Sequence, residues 1–325
     1  EIVCPGVLLL GEVVMAPEKV VPYFGTVEKP ECHLLYNVTT MASTWHTVAT
    51  KDVSLLRRQL DIISELPRDY VFQNYLRCHD DIGWGLDYEY LENFGIQEVP
   101  HKKYLNDFLT GKYPDSFARG ELYNDDPRLG DARLCGTTAS LCGIERFGFE
   151  GNQEGVDRAV RYDITLHAFM LSQSGIPVIY SGDEIGQVND YSYKDDPEKS
   201  GDSRYLHRGK FDWKLAENRH DPATVQGKLF PVLDKLEHIR SSHGIFNSNV
   251  PIHTIDTWDN SILAFVREND EEKFIGIYNF SENDKVAWIN EEDGMYTDLI
   301  SGREMEAKGV QIPAFGCYWL CRNKQ

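Results

Sequence analysis

The sequence predicts an α/β region built on a parallel sheet, followed by an all-β antiparallel domain. Up to about residue 244, continuous apolar runs alternate with stretches whose apolar residues recur at helical spacing. This pattern is typical of buried parallel strands joined by helices. After Gly244 the chain consists of short alternating segments separated by turns, which is typical of antiparallel strands. Its 325 residues suffice for two domains or for one barrel with an appended domain.

The predicted parallel sheet has four strands, over residues 7–14, 33–38, 70–77 and 176–184. The first is a continuous apolar run, so we expect it to be buried on both faces. Helices are predicted over residues 41–66, 154–173 and 224–242; Pro67 and Gly175 end the first two. Four strands are half the number in a (β/α)8 barrel, so the fold class predicted is α/β, with half of such a barrel.

Residues 82–150 interrupt the alternation and are rich in Tyr, Asp, Gly and Phe. We interpret them as an inserted subdomain, because unstructured loops of that length are rare in compact domains. The predicted organisation is therefore a partial barrel in residues 1–81 and 151–244, an inserted subdomain in 82–150 and a β-sandwich in 245–325.

Acidic side chains follow the predicted strands where each strand ends. His79, Asp80 and Asp81 follow the third strand, and Glu12 lies at the end of the first. Adjacent carboxylates repel each other and are costly to bury without donors or a cation. The carboxyl ends of barrel strands are where such folds carry their chemistry. The alternative is a loop whose aspartates cap a following helix.

Hydrolysis or transfer of a glycoside needs two carboxyl groups, one acting as acid and one as nucleophile or base. Desolvation at a strand end would raise the pKa of Glu12 and suit it to the role of general acid. Asp80 could then bond sugar hydroxyls and stabilise a positive transition state. For Asp183 and Glu184, at the fourth strand end, we favour a structural role in pinning loops.

Composition excludes several classes of partner. The net charge of −19 disfavours nucleic acid, an anionic membrane surface and strongly anionic substrates. A protein with 12% aromatic residues suits a neutral, hydroxyl-rich ligand such as a sugar. The seven cysteines form no CxxC pair, so we expect reduced thiols, no metal site and a cytoplasmic protein. The N-terminus resembles no signal peptide, and no apolar run approaches the ~18 residues of a membrane span.

These motifs resemble those of amylosucrases, retaining transglucosidases of the α-amylase superfamily. Leu8–Pro17 is similar to their fifth-strand motif, and Arg77–Trp84 to their seventh. The segment from Gly175 to Gly186 resembles their eighth strand. Further similar segments are those of the inserted B′ subdomain and of the loop after the eighth strand: Ser116–Gly120, Gly130–Arg133, Ser200–Arg204, His207–Arg208 and His220–Pro222. The resemblance implies the second half of the barrel, strands five to eight, with B′ and the C-terminal sandwich.

The resemblance also implies roles for individual residues. Glu12 would be the general acid/base, while His79 and Asp80 would bind the glucosyl ring, with Asp80 as a further catalytic carboxylate. Asp81 and Arg133 would contact the neighbouring site, where fructose sits when sucrose is the donor. Arg204 would close the bottom of the pocket by pairing with an acid from an earlier loop. The implied reaction transfers glucose from sucrose to an α-1,4-glucan, with some hydrolysis and no cofactor.

Departures from the family pattern set the remaining expectations. Gly11, Ala16 and Cys78 replace polar residues of the motifs, and the family's nucleophilic Asp lies on a fourth strand that would precede Glu1. None of the carboxylates matches the nucleophile motif, so we expect this chain alone to be inactive and to self-associate through exposed half-barrel edges. The alternatives are a sucrose hydrolase or other α-glucoside-acting enzyme, and a non-catalytic carbohydrate-binding or assembly module.

Overall fold

A computed structural model describes residues 4, 6–15, 17–26, 28–126, 131–289 and 293–324. Ala16 and Gly130, which belong to two of the motifs, lie outside them. Four parallel strands form one sheet in chain order: Leu10–Gly11, Leu34–Tyr36, Val71–Asn74 and Ile176–Pro177. Leu34 pairs with both Leu10 and Val71, and Gln73 pairs with Ile176. The sheet therefore places the ends of its first and third strands on the same side.

All four parallel strands are shorter than predicted. The prediction that residues 7–14 are buried on both faces is wrong: only Leu10–Gly11 is a strand, and Leu8 is 64% exposed. Within the described residues that strand pairs on one side alone, so its apolar run lacks a second neighbour to cover it. The last strand is limited to Ile176–Pro177, although the N–H of Val178 still donates to the carbonyl of Asn74 at 2.8 Å.

The single helix predicted over residues 41–66 is two helices, Val38–Thr50 and Ser54–Ser64. Lys51 ends the first with a left-handed backbone, φ 61°. Asp52 then accepts a hydrogen bond at 2.8 Å from the N–H of Ser54, the first residue of the second helix. A local side-chain bond of this kind competes with helix continuation and starts a new helix instead.

The predicted insertion carries its own secondary structure. A hairpin pairs Glu121–Tyr123 with Arg133–Cys135, and Ile82 bridges to Leu134 of that hairpin. The helices of this segment are Tyr88–Glu92, Glu98–Leu109, Thr138–Cys142 and Ile144–Phe149. The backbone bond pair between Ile82 and Leu134 attaches the insertion directly beside the His-Asp-Asp segment.

Two longer helices and several single turns complete this half of the chain. The helices are Gln153–Ser172 and Val225–Ser242, and shorter helices are Pro17–Val20 and Trp213–Ala216. Single 3₁₀ turns lie at Val21–Phe24, Asp183–Ile185, Tyr191–Asp195, Ser203–His207, Glu217–His220 and Gly244–Phe246. None of the described helices is long and apolar enough to cross a membrane.

The C-terminal region is antiparallel β, as its alternating pattern predicts. A six-stranded sheet has the order Glu304–Glu306, Met295–Asp298, Cys317–Asn323, Glu272–Asn279, Ile262–Glu268 and His253–Ile255. A second sheet pairs Lys285–Ala287 with Val310–Ile312. Aliphatic side chains from both sheets, among them Ile275 and Ile312, pack into one core. On its other side the larger sheet contacts the helix Gln153–Ser172, where the hydroxyls of Ser172 and Tyr278 lie 2.6 Å apart.

Candidate active site

The loops after the first and third parallel strands converge on one open pocket. Glu12 comes from the first loop, and Asp80 and Asp81 come from the third. The insertion contributes Arg133, and the loop after the fourth strand contributes Arg204. The remaining wall is formed by Val14, Val38, Met41, Tyr75, Cys78, Gly83, Trp84, Gly85, Lys102 and Asp131. Five of the six residues singled out from the sequence thus line one pocket, and the sixth, His79, contacts Asp80.

Glu12, His79 and Asp80 lie close together at the pocket. Polar side-chain atoms of Glu12, His79 and Asp80 all lie within 4.8 Å of one another. Burial raises the pKa of the Glu12 carboxyl, and so do a hydrogen bond with Asp80 and the charge of Asp80. The charge of His79 opposes this rise in the pKa. Glu12 therefore keeps its proton to a higher pH than an isolated glutamate does.

Two arginines hold the Asp80 carboxylate. Arg208 Nη2 lies 3.1 Å from Asp80 Oδ1, and Arg204 Nη1 lies 3.4 Å from the same oxygen. Arg208 also donates through Nε to the backbone carbonyl of His79. Arg204 makes its closest contacts with Asp202, at 2.8 Å and 2.9 Å. Its guanidinium thus joins an acid from the earlier His-Asp-Asp loop with one from its own turn.

A second ion pair faces the pocket on the side of the insertion. Arg133 Nη1 lies 3.4 Å from Asp81 Oδ2; the Asp81 side chain is 7% exposed and that of Arg133 is 50% exposed. Lys102 lies beside them and bonds Asp131 at 3.0 Å. These groups offer both donors and acceptors toward the open pocket, as recognition of a hydroxyl-rich ligand requires.

Behind the pocket a buried network fixes the His-Asp-Asp loop. Arg77 bonds Asp183 at 2.8 Å and the carbonyl of His207 at 3.1 Å. His207 Nδ1 accepts from the N–H of Gly136, so its Nε2 carries the proton that points at the His79 carbonyl, 3.4 Å away. Burial and the charge of Arg77 lower the pKa of His207 to about 3, which keeps it neutral.

Asp183 and Glu184 have the structural role that we favoured from the sequence. Asp183 accepts from Arg77 and from Thr138 Oγ1, the latter at 3.0 Å. Glu184 Oε2 accepts from the N–H of Gly182 at 2.7 Å. Both carboxylates thereby pin the loop that follows the fourth strand.

Sequence reasoning missed four residues of the site: Arg208, His207, Lys102 and Asp131. A usable signal existed for three of them, because His207 and Arg208 form one of the segments that carry the family resemblance and Asp131 lies in another, Gly130–Arg133. Lys102 lies outside the motifs, so no local pattern links it to the site.

Glu12, His79 and Asp80 are close enough together to bind a cation through one atom each. Asp80 is, however, already bonded to two guanidinium groups, and Glu12 shares a hydrogen bond with it. This bonding favours proton transfer over metal binding at the site. A carboxylic acid beside an ionised carboxylate is the arrangement that glycoside chemistry uses.

Two curated relatives are similar in sequence to this chain. No protein-family model matches the sequence. The chain is 25% identical over 320 residues to glucosylglycerate phosphorylase of Escherichia coli (strain K12), covering 98% of the chain and 53% of that enzyme. It is 27% identical over 183 residues to trehalose synthase of Thermus thermophilus, covering 56% of the chain and 15% of that enzyme. The chain thus spans about half the length of the first of these relatives, and less of the second.

Solved structures show the same fold. AmyP in complex with maltose matches 97% of the chain and 55% of its own, with a TM-score of 0.62 and 14% identity. Sucrose 6F-phosphate phosphorylase from Thermoanaerobacter thermosaccharolyticum matches 93% and 51%, with a TM-score of 0.61 and 17% identity. An α-amylase from H. orenii matches 99% and 54%, with a TM-score of 0.56 and 16% identity. The chain thus shares its fold with about half of each of these structures, and both curated relatives are enzymes.

Proposed function

We propose that this chain supplies the acid/base side of a retaining glucosyl-transfer site that acts on α-glucosides. The observation that carries the proposal is the proximity of Glu12 to Asp80. Burial, a hydrogen bond with Asp80 and the charge of Asp80 raise the pKa of Glu12, and two arginines hold Asp80 in place. A protonated Glu12 can give its proton to the glycosidic oxygen as the bond to the leaving group breaks. As a carboxylate it can then accept a proton from the incoming acceptor hydroxyl.

The other pocket residues follow from this assignment. Asp80 and His79 hold the glucosyl ring, and the Asp80 charge stabilises the oxocarbenium-like transition state. Asp81 and Arg133 contact the leaving group, while Arg204 closes the pocket beside Asp80. Arg208 positions the pair by bonding the His79 backbone and the Asp80 side chain together.

The proposal includes the domain organisation. Residues 1–81 and 151–244 form the second half of a (β/α)8 barrel, 82–150 form the B′ insertion and 245–325 form the sandwich. A retaining site also needs a nucleophilic carboxylate. Among the described residues the pocket carboxylates are Glu12, Asp80, Asp81 and Asp131, and none matches the family's nucleophile motif. The nucleophile therefore belongs to the other half of the barrel, and this chain alone is inactive.

The amylosucrase-like motifs support sucrose as donor and an α-1,4-glucan as acceptor, in a cytoplasmic enzyme. Similarity over 98% of the chain to glucosylglycerate phosphorylase favours a second candidate, in which inorganic phosphate is the acceptor. Both reactions share the same glucosyl transfer and differ only in what attacks the glucosylated enzyme. A sucrose hydrolase, in which water attacks, is the third variant.

The test is product analysis on the full-length protein supplied with sucrose, in separate reactions with an α-glucan primer, with phosphate and with neither. Glucan growth supports the amylosucrase-like reaction, glucose 1-phosphate supports phosphorolysis, and equal glucose and fructose support hydrolysis. No release of fructose, glucose or glucose 1-phosphate from sucrose or other α-glucosides would contradict the proposal.

The present chain provides a separate test of the pocket. Sucrose binding that survives Glu12→Gln and is lost in Asp80→Asn would show a working glucosyl pocket without catalysis. If sucrose binding persists in both variants, sucrose does not bind in this pocket, and the pocket drops out of the proposal. Absence of sucrose binding by the unaltered chain would favour a purely structural module.

A further inference from the structure

Two tryptophans lie exposed on the C-terminal sandwich, outside the pocket. Trp258 is 72% exposed and Trp288 is 51% exposed. They come from neighbouring backbone segments, since the N–H of Trp288 faces the carbonyl of Thr257 at 3.4 Å. We call this pair the tryptophan platform. Large apolar side chains exposed on neighbouring segments of a folded domain are candidates for a binding surface.

The backbone at Trp258 is held in an unfavourable conformation. Its φ is 60°, in the left-handed region that bulky side chains rarely adopt. The N–H of Trp258 donates to Asp256 Oδ1 at 3.0 Å, which stabilises this turn. A strained residue that also exposes its indole gains little from burial, so an observed outlier of this kind suggests a function for the side chain.

Trp288 is likewise positioned by its surroundings. Its neighbours Ala287, the last residue of a strand, and Ile289 are fully buried, whereas the intervening indole is exposed. A side-chain carbon added at Gly309 would lie 3.1 Å from the Trp288 ring, so the ring rests on this bare glycine. One side of the indole is thus supported by backbone while half of its surface stays open.

Charged groups at the edge of the platform provide hydrogen-bonding partners. Asp259 and Lys285 form an ion pair at 2.9 Å beside it. Asp256 pairs with Arg57 at 3.5 Å, which ties the turn to the helix Ser54–Ser64. Flat apolar faces rimmed by donors and acceptors fit a pyranose ring, whose C–H face stacks on an indole while its hydroxyls bond the rim.

We propose that Trp258 and Trp288 form a second carbohydrate-binding site, which takes a neutral α-glucan chain. Two platforms on adjacent segments suit a chain of repeated rings better than a single sugar. The net charge of −19 disfavours a polyanion at this surface. The site uses none of the pocket residues, so it can hold a glucan whether or not the pocket transfers glucose.

The test is binding of maltoheptaose to the present chain by calorimetry, with Asp80→Asn present in every variant to silence the pocket. We expect the double change Trp258→Ala and Trp288→Ala to weaken binding by about tenfold or more, because each stacked ring contributes a large share of affinity. The control is Phe149→Ala, which removes a 79% exposed aromatic residue from the insertion and should leave binding unchanged.

Three outcomes would overturn the proposal. They are unchanged affinity in the double variant, no maltoheptaose binding to the Asp80→Asn chain, and conversion of an oligomer to a monomer by the double variant with no effect on glucan. Trp288→Ala alone keeps the strained turn at Trp258 intact, so it provides the same reading if the double variant does not fold. Failure of glucose transfer in the pocket would not affect any of these measurements.

Discussion

Arg77 Nε donates to both carboxylate oxygens of Asp183, at 2.8 and 3.0 Å, and each side chain is only 2% exposed. The pair joins the third parallel strand to the loop after the fourth. Removing one partner of a buried pair leaves an uncompensated charge, which is strongly destabilising.

We therefore predict that Asp183→Asn lowers the free energy of unfolding by about 3–5 kcal/mol, measured by urea denaturation. The matched control is Lys103→Ala, which breaks the surface pair with Asp107, where the Lys103 side chain is 71% exposed. That change should stay within about 0.5 kcal/mol of the unaltered chain. Equal losses in the two variants would show that burial of the Arg77 pair is unimportant.

The raised pKa of Glu12 predicts both the activity and the stability of Glu12→Gln. The proposed role of Glu12 as proton donor predicts that Glu12→Gln lowers kcat of the full-length protein by about 10²–10⁴-fold for natural α-glucosides. The basic limb of the pH–rate profile, which reports deprotonation of Glu12, should disappear with it.

The folded state, in contrast to the activity, should not suffer from Glu12→Gln. Because the folded pKa of Glu12 lies above its ordinary value of 4.5, the carboxyl costs stability once the pH exceeds 4.5, and this cost is complete above the folded pKa. Glu12→Gln should therefore be at least as stable as the unaltered chain at pH 7, and this advantage should vanish below pH 4.5 in thermal unfolding. A variant that is less stable at pH 7 would contradict the coupling to Asp80.

Arg208 should act on the reaction through geometry. It contacts both the His79 carbonyl and the Asp80 carboxylate, so Arg208→Lys keeps the charge but cannot make both bonds. A small misplacement of a catalytic group can cost about 10²-fold in rate, and we expect a loss of that order in kcat of the full-length protein. KM and the melting temperature should change little. A fall in melting temperature that accounts for the lost activity would indicate a purely structural role.

Lys51 predicts a pH-dependent stability. Its ammonium group lies 4.9 to 5.6 Å from the ring centres of Phe108, Phe117, Tyr162 and Phe315. Burial lowers the pKa of Lys51 from 10.5 to about 7. Between these pH values the unfolded chain binds the proton that the folded chain has released, so the free energy of unfolding rises with pH.

Lys51→Met should remove this rise. The free energy of unfolding of the unaltered chain, relative to that of Lys51→Met, should therefore increase steadily from pH 7 to pH 10.5. Denaturant unfolding across that window measures it, and Lys103→Met, at an exposed lysine, should leave the slope unchanged. Parallel pH profiles for Lys51→Met and the unaltered chain would show that the four rings hold the Lys51 ammonium in its charged form.

The edges of the parallel sheet predict self-association. Leu8 beside the first strand and Ile176 in the fourth are 64% and 42% exposed. Unpaired strand edges flanked by apolar residues favour pairing with another chain. We expect dimers or larger species in size-exclusion chromatography, and their conversion to monomers by Leu8→Lys with Ile176→Lys. Phe149→Lys is the control, and a monomeric unaltered chain that unfolds cooperatively would contradict this expectation.

Much of the candidate site could be predicted from sequence because it is carried by contiguous residues. The segment from Arg77 to Trp84 places a histidine and two aspartates after an apolar strand, and the period of apolar residues indicates where that strand lies. The alternating pattern after Gly244, which predicts antiparallel strands, is likewise carried by contiguous residues. Strand length was less predictable, because the exposure of Leu8 depends on whether a neighbouring strand covers it.

The sequence by itself determined the chemical groups of the site and the strands that carry most of them. Only the tertiary structure decided how these groups affect one another. Asp80 and Arg208 are 128 residues apart in the chain, and Glu12 reaches Asp80 only because the first and third strands are both aligned against the second. Side-chain charge is a local property, whereas the pKa of Glu12 depends on burial and on a neighbour that the fold provides.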